Sequence, residues 1–270
     1  MSGGGDGPLS PQRVEPLLRA ATWRLVGGAS TGSTNDDAKA LARSGDPGNV
    51  AVLAIEQTQG RGRFDRDWDS PRGGVYASVV LRPDIAPDRV GAIALAAGLG
   101  IARGLDRMGV RAGGEIRLKW PNDLRVGGRK LCGVLTESAM AAGRVEWVVI
   151  GFGINVQRPV GRSAGSDGSA VYLTDLMDDA AGPDLAVVAA AALDGVAETL
   201  AVFDAEGFGS LQEAYTRRSD LVGEHVIVRD ATGTVVAHGV VAGFDAVGHL
   251  VISGDEGPTV VAAGEVTLRD

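Results

Sequence analysis

LKWPNDLRVGGRKLCGVLTES, residues 118–138, sets two apolar arms on either side of Gly127-Gly128. That pattern predicts a tight antiparallel hairpin, because a two-residue turn matching strand twist needs φ > 0 at both central positions. Pro121 ends the preceding strand EIRLKW (115–120), so Asn122 and Asp123 emerge at a strand end. Working outward, VAVLAIE (50–56) reads as a buried strand, and VYASVVLR (75–82) and VEWVVIGFGINV (145–156) as two more. Trp23–Val26 reads as a further strand. Ser33 or Thr34 suits the N-cap of a helix through Ala38, Leu41 and Ala42, with Asp36 and Asp37 in its first turn. Apolar spacing predicts helices over Pro87–Met108 and 183–218, and a short helical patch over Arg13–Ala20.

From Gly223 onward the texture changes to short β runs, HVIVRD, TVVAHGVVAGF, HLVIS and TVVAAGEVTL. Their spacing describes a meander of about five strands closing into a small barrel. The expected organisation is therefore α+β: an N-terminal extension over 1–22, disordered or short-helical, a mixed-sheet domain over 23–220, and a small β-barrel over 221–270. Residues 1–12 are expected to be disordered, since four of the first seven residues are glycines and little apolar area is available there.

Composition narrows the chemistry. Only three of the 26 basic side chains are lysines, Lys39, Lys119 and Lys130, and the net charge is -8. Such a surface repels phosphate backbones and anionic lipid, so neither a nucleic-acid nor a membrane partner is expected. No N-terminal charged-then-apolar leader is present, and a cytoplasmic location is expected. One cysteine, Cys132, excludes an internal disulfide, and with three histidines it excludes the common Cys/His zinc sites. The histidines are His225, His238 and His249, so chemistry in the first 220 residues proceeds without imidazole.

The loop after VAVLAIE places Arg61, Arg63, Arg66 and Arg72 among glycines, and it is too rich in glycine and charge to be read as packed structure. Guanidinium forks match carboxylate or phosphate, and glycines let backbone amides approach an anion. The plain alternative is a solvated loop whose arginines pair with Asp65, Asp67 and Asp69. Gly60-x-Gly62 is no dinucleotide fingerprint, since Asp65 stands where the third glycine belongs. Where arginine dominates, a retained lysine such as Lys130 points to a need for a compact point charge, although a hairpin lysine is ordinarily a surface residue. Gly151 and Gly153 in GFGIN weaken a strand and mark a bulge or a close approach by ligand or backbone. Cys132 reads as a small buried apolar residue.

STN at 33–35, EQTQGRGRFDRDW at 56–68, KWPND at 119–123, GRKLCGVLTE at 128–137 and GFGIN at 151–155 resemble, in order and spacing, the motifs of biotin protein ligases. The resemblance covers roughly residues 23–268. It implies a class II synthetase-like catalytic domain of the biotin/lipoate ligase type with a C-terminal SH3-like barrel. It also implies an ATP-dependent enzyme that makes biotinyl-5'-AMP and passes biotin to a lysine of the carboxyl carrier domain of acetyl-CoA carboxylase or a related carboxylase. ATP, biotin and Mg²⁺ follow, with no metal ligand assigned. Carried over by residue, Ser33, Thr34, Asn35 and Gln57 would line the ureido end of biotin. Gly60, Arg61 and Gly62 would wrap its ring and chain, and Gly133 would floor the pocket. Arg63 and Arg66 would hold phosphate, with Trp68 shaping the loop and Arg61 also near the nucleotide. Lys130 would bridge the biotin carboxylate and the α-phosphate. Asn122, Asp123 and Asn155 would position nucleotide or magnesium. The 22 residues before the first catalytic strand are too few for the DNA-binding domain of some relatives, so a monofunctional ligase, monomeric or weakly dimeric, is expected. Whether Tyr172 stacks on adenine is open. A lipoate-type ligase and a non-catalytic biotin-responsive regulator remain as alternatives.

Overall fold

A computed structural model describes residues 7–19, 23–110, 114–159, 169–177, 182–254 and 257–268. The first part of the chain carries α1 (Pro11–Val14), β1 (Arg24–Gly27), β2 (Ser30–Thr31), α2 (Thr34–Arg43), β3 (Val50–Ala54), β4 (Glu56–Gln57) and β5 (Gly74–Leu81). The middle carries α3 (Val90–Asp106), β6 (Arg117–Lys119), β7 (Asp123–Val126), β8 (Arg129–Ala141), β9 (Arg144–Asn155), α4 (Leu185–Glu206) and α5 (Gly209–Arg218). The last part is all β: β10 (His225–Arg229), β11 (Val235–Phe244), β12 (Leu250–Gly254), β13 (Gly257–Val261) and β14 (Glu265–Leu268).

Seven strands form a mixed sheet in the order β1-β3-β5-β9-β8-β7-β6. Only β1 and β3 run parallel; the remaining pairs are antiparallel. The β7–β8 hairpin turns at Gly127 and Gly128 with φ of 55° and 76°, the left-handed pair that two glycines permit without strain. Helices α3 and α4 cover one face of the sheet. They approach through glycine: a Cβ on Gly100 would lie 2.4 Å from the Gly195 carbonyl, and one on Gly104 would lie 2.0 Å from that of Ala191. α4 is the one helix among the described residues long and apolar enough, by length and composition, to cross a membrane, and burial against α3 accounts for its apolarity.

The structure corrects three expectations. Leu9 is fully buried in the main core and Ser10 is 5% exposed, so residues 7–12 are packed rather than disordered, because this short stretch does carry a core side chain; residues 1–6 lie outside the described residues. The helix expected over 183–218 is two helices, broken where Gly207 adopts φ +77° and Phe208 turns into the core. The C-terminal strands pair in the order β13-β12-β11-β10-β14, an open sheet in place of the expected closed barrel. It is nonetheless strongly curled. Only residues 262–264 join β13 to β14 at opposite edges, and four Cα steps span about 15 Å where a flat five-stranded sheet would need about 19 Å. Its buried face joins the same core as the seven-stranded sheet, through Tyr215 stacked edge-on to Phe244 at 4.9 Å and Trp120 Nε1 donating to the Gly248 carbonyl at 3.1 Å.

Candidate active site

Backbone hydrogen bonds order the arginine loop. Backbone bonds from Trp68 N to the Gly60 carbonyl (3.0 Å) and from Gly62 N to the Arg66 carbonyl (2.7 Å) fold it into a ribbon with Phe64 at its exposed tip. Gly60 is obligatory there, since a Cβ would meet Ser70 Oγ and the Trp68 carbonyl at 2.4 Å. The described ion pairs of three of the arginines reach beyond the loop. Arg61 reaches Asp36 on α2 (2.5 Å), Arg66 reaches Glu265 on β14 (2.5 Å) and Arg72 reaches Glu56 (3.1 Å). Arg63 donates to the Gly264 carbonyl at 3.1 Å. The loop thus straps α2 to the C-terminal sheet.

Beneath it lies a cavity of about 290 Å³ between the loop, the start of α2, the β6–β7 turn, β8, β9 and β14. One end is neutral and buried. Ser33, Thr34 and Asn35 open α2 and are at most 5% exposed, with Gln57 beside them. Ser33 is the N-cap residue, as expected, yet its side chain makes no capping bond. The other end is charged. Lys130 Nζ lies 2.7 Å from Asp123 Oδ1 and 4.8 Å from the centre of the Trp68 ring. Arg63, Arg66, Lys119 and Glu265 complete this end. Burial, and then the nearby Arg125 guanidinium, holds the Lys119 ammonium below its usual pKa. Among the cavity carboxylates, the hydrogen bond from Arg66 keeps Glu265 below the ordinary range against the opposing pull of burial.

Glycines shape both walls. A Cβ on Gly133 would press on Lys130 Cε at 3.2 Å and on Trp68 at 3.4 Å, so this glycine lets the lysine and the indole share one floor. The two glycines of GFGIN admit side chains, whereas a bulge, ligand or backbone was the sequence expectation: a Cβ on Gly153 would lie 2.4 Å from Trp68 Nε1, and one on Gly151 would lie 1.9 Å from Asn35 Oδ1. Trp68 Nε1 is buried without a hydrogen-bond partner.

Of the residues singled out from sequence, Ser33, Thr34, Asn35, Gln57, Arg61, Gly62, Arg63, Arg66, Trp68, Asn122, Asp123, Lys130 and Gly133 line this one cavity. Gly60 supports the loop from behind. Asn155 lies outside the wall and donates from Nδ2 to the Lys130 carbonyl at 3.1 Å, steadying the hairpin that carries the lysine. Asn122 Nδ2 likewise donates to the Val134 carbonyl at 2.8 Å. Tyr172 is buried under the Arg158 guanidinium and does not line the cavity. Cys132 is fully buried with its thiol pKa pushed up by burial, the inert role expected of it. Sequence reading passed over Ser78, Glu137 and Glu265. A serine with 0% exposure in an otherwise apolar strand was a visible anomaly, whereas Glu265 is brought in by tertiary folding from about 200 residues away.

No group of three or more His, Cys, Asp or Glu among the described residues could hold a metal. The cavity's Asp123 and Glu265 each already face a cation. Such a donor set fits a magnesium ion carried on a triphosphate, which needs one or two carboxylates from the protein rather than a cage.

The model of the biotin/lipoate A/B protein ligase family matches residues 27–155. The chain is similar to the biotin–acetyl-CoA-carboxylase ligase of Paracoccus denitrificans, 34% identical over 244 residues that cover 88% of this chain and 98% of that protein. It is also 34% identical over 265 residues to the Mycobacterium tuberculosis ligase of the same name, covering 96% and 95% of the two chains. In three dimensions it resembles the biotin protein ligase of Aquifex aeolicus in complex with biotin and ATP, at TM-score 0.74 and 26% identity, covering 91% of this chain and 98% of that one. Shared sequence along nearly the whole length, together with a shared fold around one cavity, shows that the chain belongs to the biotin protein ligase family.

Proposed function

We propose that the protein joins biotin to ATP and then biotinylates one lysine of the carboxyl carrier domain of acetyl-CoA carboxylase. A single observation carries this reading: Lys130 stands where a neutral, hydrogen-bonding pocket meets a cluster of cations within one cavity. An uncharged ring system suits the first end, and a triphosphate suits the second. In adenylation a biotin carboxylate oxygen attacks the α-phosphorus and pyrophosphate leaves. Two anions must meet, so the protein's task is positive charge and orientation, with no covalent nucleophile. Lys130, paired with Asp123, would turn to the carboxylate and α-phosphate, and Arg63 and Arg66 would hold the phosphates. Mg²⁺ bound to ATP supplies neutralisation of the leaving pyrophosphate. In the second step the acceptor lysine amine attacks the acyl carbon and AMP leaves.

The same reading places a domain boundary near residue 220, between the end of α5 at Arg218 and the start of β10 at His225. It places the enzyme in the cytoplasm, where ATP and its carrier substrate would be available. The net charge of -8 supports a protein acceptor rather than nucleic acid or a membrane surface. The test is biotin-dependent release of pyrophosphate from MgATP by the purified protein. The expected result is release with biotin and none with lipoate; release with lipoate alone would make it a lipoate-type ligase, and release with neither would overturn the assignment.

A further inference from the structure

Phe64, at the tip of the arginine loop, holds its backbone in the left-handed region, with φ 56° and ψ 42°. A bulky residue is an outlier there, because its Cβ crowds the following carbonyl oxygen, whereas glycine would adopt the turn without strain. Burial does not repay the strain, since Phe64 remains 41% exposed. The conformation is enforced by its surroundings. Gly62 N–H donates to the Arg66 carbonyl at 2.7 Å, and Arg66 N–H donates to the Arg63 carbonyl at 3.3 Å, closing the turn around Phe64. An over-determined strain of this kind directs attention to what the strained residue does.

The turn sets one aromatic ring against two cations. The guanidinium carbons of Arg63 and Arg66 lie 4.7 and 5.7 Å from the centre of the Phe64 ring, both within range of its negative face. The same guanidiniums reach Gly264 and Glu265, and both arginines line the cavity. Two like charges sharing so small a space repel. Burial lowers the pKa of Arg63, and the Arg66 charge lowers it further, against the pull of Asp123 and Glu265. A shared π face offsets that repulsion without adding a carboxylate, which would repel an incoming phosphate. Trp68 serves Lys130 in the same way, with Nζ 4.8 Å from its ring centre. All three cations that the proposed function gives to the phosphates thus rest on the two aromatic rings of one loop.

We propose that Phe64 is a positioning residue for ATP, its ring holding the Arg63 and Arg66 guanidiniums together as one triphosphate clamp. The proposal rests on the biotin and ATP reading and deepens its nucleotide half. It requires the ring to act on ATP and to leave the binding of biotin alone.

The test is biotin-dependent pyrophosphate release by the wild type, Phe64→Leu and Phe64→Tyr, with biotin binding to each measured by calorimetry. Leucine keeps the bulk and the left-handed backbone but has no π face; tyrosine keeps the face. We expect Phe64→Leu to raise the KM for MgATP about fivefold, with kcat and biotin affinity within about twofold of the wild type. Phe64→Tyr should return that KM to within about twofold of the wild type. Because the side chain is exposed, both variants should melt within about 2 °C of the wild type. An unchanged KM in Phe64→Leu would overturn the proposal, as would a tyrosine variant as weak as the leucine one. Equal losses of biotin and MgATP affinity would also overturn it, by showing that the ring merely supports the loop. A wild type that releases no pyrophosphate would instead overturn the function on which the proposal rests.

Discussion

The two ends of the cavity are built from opposite materials. At one end Ser33, Thr34, Asn35 and Ser78 are at most 5% exposed and uncharged, with Ser78 hydrogen-bonded to both Thr34 and Asn35. At the other stand the ionisable side chains of Lys130, Arg66 and Glu265, and the Lys130 and Arg66 side chains keep 32% and 57% of their surface. Buried neutral groups discriminate by the pattern of donors and acceptors, since each mismatch leaves a desolvated group unpaired. Exposed charges attract any suitable anion and are screened by salt. On the proposed function, one end would select the acid and the other would drive the chemistry.

The sharpest way to separate them is Lys130→Ala. Adenylation, followed as pyrophosphate release, should fall by about a thousandfold, while the melting temperature moves little because the lysine's ion pair is partly solvated. Undiminished release would remove Lys130 from the mechanism. Next in size is Gly151→Ala, which drives a Cβ into Asn35 Oδ1 and should cost about 2–4 kcal/mol in denaturant unfolding. Gly127→Ala has no neighbour within 4 Å and should cost about 1 kcal/mol, from its positive φ alone. Equal costs would show that the neutral end is not tightly built. Smaller again is the response to salt. Raising ionic strength from about 0.05 to 0.5 M should increase the KM for MgATP several-fold and leave biotin affinity nearly unchanged. Parallel shifts would erase the distinction between the ends.

Acid gives the mildest effect. Asp36 is held below its ordinary 3.8, its hydrogen bonds to Arg61 and Lys39 outweighing burial, and Glu265 is held below its ordinary 4.5 by Arg66. For carboxylates lowered in the folded state, the stabilisation is complete above the ordinary value and lost as pH falls through the lowered one. Protease protection of the loop should therefore persist at pH 4.5 and fade only in stronger acid. Release at pH 6 would show that these ion pairs do not hold it.

Much of this was legible in the sequence. Gly127-Gly128 announced the hairpin that carries Lys130, and the scarcity of lysine made Lys130 conspicuous. Local pattern failed where the deciding contacts are long-range. Nothing near Arg66 indicated that its partner is Glu265, because that pairing depends on how the C-terminal sheet docks. Glycines 151 and 153 were correctly marked as places of close approach, but the approaching groups, Asn35 and Trp68, come from distant segments. The arginine loop looked unpackable because its apolar content is low, and backbone hydrogen bonds rather than burial organise it.

The central claim is that this cavity makes biotinyl-5'-AMP and transfers its biotinyl group to a carrier lysine, releasing AMP. Incubating the protein with biotin, MgATP and an isolated carrier domain, and weighing the carrier by mass spectrometry, tests it most directly. The account predicts one biotinyl group on one lysine, dependent on both ATP and biotin. A carrier of unchanged mass, beside a positive control with an established ligase, would contradict it.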